Sequence, residues 1–289
     1  MKQRIITGFF IALVYAGTVL GAILWNPLIF DVFAVFLMFA AGWEMCGCLD
    51  AKFLKTVRPA LIIAIAVCYA VYKLVSFYAG LMQALVSCVL TALIFAVVIL
   101  NFTMFSKKYT VSGGAATAFV LLYPVLFIFI MLGLAYLPEN YYSGAIIMLF
   151  ISSSLADTMA YFVGSALKGP KFCPQISPKK TVSGAVGGLI GGIISGLIVF
   201  TLGRFSVLNV VVLNQTVWLD LLHWCFIGLG SAAFCEMGDL TSSYVKRVCG
   251  IKDFGSILAG HGGFMDRIDG MIVSSVYIFA YMFVLGFVF

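Results

Sequence analysis

Charge is what this sequence has least of. Only 10% of its 289 residues are Asp, Glu, Lys or Arg, whereas a typical soluble domain has about 25%. So few charges cannot cover a water-exposed surface of this size, which excludes a soluble globular protein. The sequence is instead 63% hydrophobic, and this composition predicts an integral membrane protein.

The apolar runs lack the alternation of polar and apolar residues that membrane β-strands show. They continue for about 20 residues, the length of a membrane-spanning helix, and a helix satisfies its own backbone polar groups in lipid. The first run starts like a signal peptide, but its length and the lack of a cleavage site before Asn26 predict a retained helix. We therefore predict an all-α, polytopic integral membrane protein with about nine transmembrane helices, at residues 5–25, 28–48, 58–76, 80–102, 113–136, 142–164, 183–202, 216–236 and 268–288.

Basic residues lie almost entirely in alternate connections between these runs. The positive-inside rule assigns such connections to the cytoplasm. The N-terminus is therefore predicted to be cytoplasmic, as are the two long connections, 165–182 and 237–267. The residues that carry this prediction are Lys2, Arg4, Lys52, Lys55, Arg58, Lys107, Lys108, Lys168, Lys171, Lys179, Lys180, Lys246, Arg247, Lys252 and Arg267.

The sequence lacks a soluble domain, a low-complexity tract and a convincing internal repeat. We divide it into residues 1–137, with about five N-terminal transmembrane helices, and residues 138–289, a C-terminal catalytic transmembrane region that includes both long loops. The net charge of +6 is explained by the cytoplasmic loops, and we expect no nucleic-acid partner. Most of the eight cysteines lie in apolar runs, where Cys acts as a small hydrophobe, so we predict no metal or redox role for them.

Residues 238–269 concentrate the charge and glycine that the rest of the chain lacks. Asp239, Asp266 and Asp269 near one membrane face could hold divalent cations, and Mg²⁺ favours one or two carboxylates together with water and phosphate oxygens. His261 precedes a glycine pair whose backbone N–H groups could approach phosphate. The alternative is an amphipathic interfacial helix whose acids and bases pair with one another.

A second polar segment follows the sixth predicted helix. Asp157 lies near the inner end of that helix, where an acid is usually paired or functional. Ser177, Lys179, Lys180 and Thr181 precede the glycine-rich start of the next helix, and two lysines, two hydroxyls and a helix N-terminus form an anion cradle. The alternative is that the lysines are positive-inside anchors that contact anionic lipid.

Four further predictions concern side chains and packing. We interpret the glycines at 187–188 and 191–192 as structural, because small residues let membrane helices pack closely. Such helix faces would also suit a homodimer. Asp31 and Glu44 are expected to be buried and paired, and Glu236 is a candidate third carboxylate near Asp239.

The pattern S-x-x-K-R-x₄-K-D-x-G-x-x-L-x-x-H-G-G-x-x-D-R-x-D, from Ser243 to Asp269, resembles the signature of phosphatidate cytidylyltransferases. About a dozen positions match over 27 residues. The stretches D-T-x-A-Y-x-x-G from Asp157 and I-S-P-K-K-T ending at Thr181 are similar to a second motif of the family. This sequence has Ser183, Ser242 and Ala259 where the family usually has Glu, Glu and Pro.

The resemblance implies transfer of a cytidylyl group from CTP to phosphatidate, giving CDP-diacylglycerol and pyrophosphate in phospholipid biosynthesis. It implies Mg²⁺ as cofactor, Asp239 and Asp266 as metal ligands, CTP, phosphatidate and membrane lipid as partners, and a bacterial inner membrane with the active site facing the cytoplasm. The catalytic residues expected on this basis are Asp239, Lys246, Arg247, Lys252, Asp253, His261, Asp266, Arg267 and Asp269. The substrate-binding residues expected are Asp157, Ser177, Lys179, Lys180, Thr181, Ser243, Gly262 and Gly263.

Three alternatives stay open at the level of sequence. The chain could be a divergent family member that acts on another lipid phosphate or nucleotide, or a non-catalytic lipid-binding membrane protein, as the two Ser-for-Glu departures allow. A transporter is the third alternative. A transporter places its ionisable groups near the bilayer midplane, often in two related halves, whereas here the charges cluster at one predicted face.

Overall fold

The computed structural model describes residues 2–52, 55–138, 141–258, 260 and 262–288, and this part of the chain is overwhelmingly helical. The helices are α1 (Lys2–Leu24), α2 (Leu28–Asp50), α3 (Arg58–Ala79), α4 (Leu81–Phe105), α5 (Val111–Val120), α6 (Leu126–Gly133), α7 (Tyr141–Leu167), α8 (Val182–Arg204), α9 (Val217–Cys249) and α10 (Met265–Val288). A π-helical turn at Leu121–Val125 joins α5 to α6, and 3₁₀ turns occur at Leu134–Tyr136 and Val207–Asn209. Two short strands, β1 (Lys171–Cys173) and β2 (Ser177–Thr181), form an antiparallel pair.

Nine helical spans within the described residues are long and apolar enough to cross a membrane, with α5, α6 and the turns beside them forming one of these spans. The prediction of an all-α, polytopic integral membrane protein with nine transmembrane helices is therefore confirmed. The fifth span differs from the predicted continuous helix, because Tyr123 has non-helical backbone angles and Pro124 follows it. Proline lacks the N–H that a continuous helix needs at this point.

Helix α9 is longer than predicted. It continues past residue 236 to Cys249, so the first part of the expected loop 237–267 is helical. Gly250 ends the helix with a positive φ of 73°, and the N–H groups of Gly250 and Ile251 donate to the carbonyls of Arg247 and Lys246. This is a Schellman ending, which glycine favours. Gly238, which lies just after the predicted end, stays helical, so polarity alone misplaced the helix end.

The chain forms two compact units, neither of which is continuous in sequence. Unit 1 comprises Met1–Ala12, Asp31–Gly133 and Val245–Ile268, and unit 2 comprises Leu13–Phe30, Leu134–Tyr244 and Asp269–Phe289. The predicted functional division between residues 137 and 138 stays a prediction.

An ion pair in unit 1 confirms that Asp31 is buried and paired. Asp31 Oδ2 accepts hydrogen bonds from Lys73 Nζ at 2.8 Å and from Tyr69 Oη at 3.0 Å, and the residue is only 1% exposed. An ionised side chain in a membrane-spanning helix is costly unless it is paired. This pair therefore ties α2 to α3.

Glycine contacts hold α7, α8 and α9 together in unit 2. A Cβ atom on Gly187 would lie 2.8 Å from the Met159 carbonyl oxygen, and one on Gly192 would lie 2.3 Å from the Gly228 carbonyl oxygen. Such distances leave no room for a side chain, so the structural interpretation of the glycines at 187–188 and 191–192 is confirmed. These glycine faces are used inside the chain, and the homodimer stays a prediction.

Candidate active site

The hairpin β1–β2 leads directly into α8. Lys171 pairs with Thr181 and Cys173 with Ser177. Thr181 then caps α8, because its Oγ1 accepts a hydrogen bond from Gly184 N at 3.1 Å, which satisfies one of the free N–H groups of the first helical turn. The segment from Ser177 to Thr181 is therefore an extended strand that ends at a helix N-terminus, as an anion cradle requires.

A cavity of about 600 Å³ lies beside this hairpin within unit 2. Its walls come from α7, the hairpin, the start of α8 and the middle of α9. It brings together three acids and four lysines, and most of the predicted residues of the second motif line it. The charged lining residues are Asp157, Lys168, Lys171, Lys179, Lys180, Glu236 and Asp239.

The Lys180–Asp239 ion pair joins the hairpin to α9 at the wall of this cavity. Lys180 Nζ lies 3.1 Å from Asp239 Oδ2. Partial burial of Lys180 disfavours its charged form, but the negative charges of Asp239, Glu236 and Asp157 outweigh this effect and raise the lysine pKa. The ammonium group is therefore held charged at the cavity wall.

Glu236 lies one helical turn before Asp239 and lines the same cavity. Its Oε1 atom is buried and accepts no hydrogen bond from the described residues. Gly188 on α8 makes room for this carboxylate, since a Cβ there would lie 2.3 Å from Oε1. The expected third carboxylate is thus present beside Asp239, although the motif resemblance does not include it.

The cavity offers the donor atoms that Mg²⁺ prefers. Asp157, Glu236 and Asp239 supply carboxylate oxygens, and lysines on the same walls could neutralise phosphate groups. Within the described part of the chain, no group of three or more Asp, Glu, His or Cys side chains is close enough to hold an ion alone. A Mg²⁺ ion bound by one or two of these carboxylates would need water and phosphate oxygens to complete its coordination.

The two Ser-for-Glu positions have different surroundings. Ser183 Oγ lies 3.2 Å from Thr181 Oγ1 and accepts a hydrogen bond from Gly169 N at 3.3 Å. It thus closes the turn between α7 and the hairpin. Ser242 is fully buried on α9, so a small side chain fits its packing.

Three of the predicted residues of unit 1, Lys246, Gly262 and Gly263, lie against Asp266. Its Oδ1 lies 2.8 Å from Lys246 Nζ, and its Oδ2 accepts hydrogen bonds from Phe254 N at 2.8 Å and Gly263 N at 2.9 Å. The carboxylate is 4% exposed. Both oxygens are therefore engaged in fixing the segment before α10, and the role of Asp266 as a metal ligand stays a prediction.

Gly262 shows why glycine is needed in this turn. Its φ is +79°, and a Cβ atom would lie 2.8 Å from Asp266 Oδ2. Gly262 O also accepts a hydrogen bond from Leu258 N at 3.0 Å. Gly262 therefore lies directly against the Asp266 carboxylate.

The other predicted residues differ in exposure. Asp269 is buried in the first turns of α10, and Ser243 on α9 is half-buried. His261 and Ala259 lie outside the described residues. The remaining ones are exposed: Arg247, Lys252, Asp253 and Arg267.

The sequence analysis identified Glu44 as buried and paired but missed its connection to the motif. Glu44 on α2 is 5% exposed. Its carboxylate accepts hydrogen bonds from Phe264 N at 3.0 Å and Met265 N at 2.8 Å, at the start of α10. A single acid in an apolar run predicts that some partner is present. The sequence does not show that this partner is the Phe264 backbone, 220 residues away.

Comparison with known proteins agrees with this geometry. The model of the cytidylyltransferase family matches residues 2–285. A Brucella abortus protein named phosphatidate cytidylyltransferase is 36% identical over 144 residues, which is 48% of this chain and 47% of the relative. Proteins of the same name from Rickettsia conorii and Mycobacterium tuberculosis are each 33% identical, over 123 residues (43% of this chain, 51% of the relative) and 165 residues (57% and 46%).

The chain spans about half the length of the curated relatives it matches. The family model, in contrast, extends over nearly all of the chain, including both polar motifs and the nine apolar spans. The expected family resemblance is therefore confirmed: this protein belongs to the cytidylyltransferase family.

Proposed function

We propose that the protein transfers a cytidylyl group from CTP to phosphatidate and produces CDP-diacylglycerol and pyrophosphate. The observation that carries this proposal is the cavity of about 600 Å³ in which lysines and carboxylates line the same walls. A triphosphate needs cationic side chains, and its bound metal needs carboxylate oxygens. The names of the curated relatives support the same reaction.

The reaction needs no covalent enzyme intermediate. A phosphate oxygen of phosphatidate attacks the α-phosphorus of CTP in line with the bond to the β-phosphate, and that bond breaks to release pyrophosphate. The attacking oxygen is already anionic, so no strong general base is required. Lys180 and Lys179 bind the phosphate oxygens and orient them, since positioning and charge neutralisation dominate phosphoryl-type transfer.

Asp239 is the residue we propose as a Mg²⁺ ligand, with Asp157 and Glu236 lining the same cavity. When bound there, Mg²⁺ would offset the charge of the triphosphate and assist departure of pyrophosphate. Lys180 is held beside Asp239 at 3.1 Å, and it would be free to move to a phosphate oxygen when a cation takes its place. We also propose that this site faces the cytoplasm of a bacterial inner membrane, as the distribution of basic residues supports.

The test is an assay of the purified protein with Mg²⁺, phosphatidate and CTP labelled at the α-phosphate. Wild type should form labelled CDP-lipid, and removal of Mg²⁺ with EDTA should abolish the product. Asp239→Asn and Lys180→Met should each reduce kcat/KM by about 10²- to 10³-fold, the scale for loss of one charge-stabilising group. Lys107→Met is the matched control, because Lys107 is an exposed lysine of a short connection in unit 1.

Absence of CDP-lipid with wild type would refute the proposal, and so would full activity of both cavity variants. A product formed only with another lipid phosphate or another nucleotide would favour the divergent family member. Binding of phosphatidate without turnover would favour a non-catalytic lipid-binding protein.

A further inference from the structure

Glu44 binds the N-terminus of α10 from a different helix. The N–H groups of Phe264 and Met265 lie where α10 begins, and such groups have no partner within their own helix. Glu44 Oε1 accepts from Phe264 N at 3.0 Å, and Oε2 accepts from Met265 N at 2.8 Å. A carboxylate is favourable at a helix N-terminus, and hydrogen bonds to a charged acceptor are roughly twice as strong as neutral ones.

Two glycines of the motif segment provide a second, independent observation. A Cβ atom on Gly255 would lie 2.5 Å from Glu44 Oε1, and one on Gly263 would lie 2.4 Å from Oε2. The backbone of the segment therefore closes on the carboxylate at both positions. Any larger residue at either position would displace the acid or the chain.

Asp266 holds the same segment through its own hydrogen bonds. Gly263 N donates to Asp266 Oδ2, while the Cα of Gly263 faces Glu44. Phe254 N donates to the same Asp266 oxygen. Two carboxylates therefore hold Phe254, Gly255 and residues 263–265, and of the two acids only Asp266 belongs to the motif itself.

We propose that Glu44 is a positioning residue for cytidylyl transfer: it holds Gly255 and residues 263–265 in the conformation that the reaction uses before substrate binds. This inference rests on the proposed function, because the segment is the part of the family motif that carries Asp266 and precedes Arg267. Glu44 is 5% exposed, so it acts through the backbone of Phe264 and Met265. Because the segment is already ordered, substrate binding does not have to offset the conformational entropy that ordering it would cost.

Glu44→Gln is the central variant, because it keeps the size of the side chain but replaces one accepting oxygen by an amide that donates. We expect kcat to fall by about 10- to 100-fold, the usual effect of losing a supporting hydrogen-bond partner. The KM for CTP should change little, since the cationic side chains stay in place. Hydrogen exchange measured by mass spectrometry should become faster in peptides that cover residues 254–268 and stay unchanged elsewhere.

Asp31→Asn is the matched control. Asp31 is also a buried acid of α2, but its partners are Lys73 and Tyr69 on α3. We expect this variant to keep the wild-type kcat and the wild-type exchange of residues 254–268. A loss that both variants share would assign Glu44 a general role in stability and would overturn the proposal.

Gly263→Ala supplies a test that does not depend on the glutamine variant folding well. In the wild-type background the new methyl group should displace the Glu44 carboxylate and lower kcat. In the Glu44→Ala background the atoms nearest to the new methyl group are absent, so the double variant should be no slower than Glu44→Ala alone. If the losses in kcat from Gly263→Ala and Glu44→Ala add up in the double variant, the proposal is overturned.

The two proposals fail in different ways. If wild type forms no CDP-lipid, the proposed reaction is wrong, and the exchange experiment still decides whether Glu44 holds the segment. If wild type is active and Glu44→Gln retains its kcat with unchanged exchange of residues 254–268, the positioning role is wrong and the reaction stands.

Discussion

The contact between α8 and α9 is close enough for one methyl group to test it. Gly192→Ala would place a Cβ 2.3 Å from the Gly228 carbonyl oxygen and 2.6 Å from the Ala232 Cβ. Ordinary van der Waals contact begins near 3.4 Å, so the helices must separate by roughly 1 Å or the backbone must bend. Such overpacking costs about 1–3 kcal/mol. It exceeds the gain of up to about 1 kcal/mol that alanine brings to a helix interior.

Gly17→Ala is the matched control, because a Cβ atom on Gly17 in α1 meets nothing within 4 Å. This substitution keeps the stabilisation that alanine gives to a helix relative to glycine, but it causes no overpacking. The two variants should therefore differ by the overpacking cost of about 1–3 kcal/mol, which corresponds to about 2–10 °C in Tm. Thermal unfolding of both proteins in the same detergent, followed by intrinsic fluorescence, measures this difference. A Tm for Gly192→Ala equal to or above that of Gly17→Ala would refute the close-packing argument.

Three further predictions concern polar contacts. Lys73→Met should destabilise the protein by about 3 kcal/mol, because it removes the charged partner of buried Asp31, and the double variant with Asp31→Asn should recover most of that loss in Tm. Thr181→Val should lower Tm by about 2–4 °C, since loss of the cap on α8 costs about 1 kcal/mol; Thr181→Ser should not. The pKa of Lys180 is raised above 10.5, so the stabilisation from its pair with Asp239 should be complete below pH 10.5 and decline as pH rises through the shifted value. The Tm difference between wild type and Lys180→Met, measured from pH 7 to pH 11, should therefore be constant at first and then shrink; a difference that grows above pH 10.5 would contradict this assignment.

Membrane-spanning elements were predictable from sequence because lipid leaves the backbone few choices. Uninterrupted apolar runs predicted all nine spans, since helices satisfy their own backbone polar groups. The end of α9 was not predictable by the same reasoning. Hydropathy locates where a helix leaves the apolar layer, whereas Gly250 determines where the helix ends.

The candidate site was predictable only in part. The charged and glycine-rich patterns around Lys180 and Asp266 were visible because they are local in sequence. The contact of Glu44 with Phe264 joins residues 220 positions apart, and no local pattern encodes such a partner. The distinction between Asp239 beside a cavity and Asp266 within a hydrogen-bonded turn likewise depends on tertiary structure.

The length of α9 also determines how far one end of this helix extends beyond the bilayer. A helix of 33 residues is about 50 Å long, whereas the hydrocarbon layer of a bilayer is about 30 Å thick. The excess is the charged end that carries Lys246 and Arg247. Because a helix does not shorten, bilayer thickness sets how far these side chains reach beyond the head groups. In a bilayer of longer acyl chains, an untilted α9 would therefore hold this charged end closer to the membrane surface.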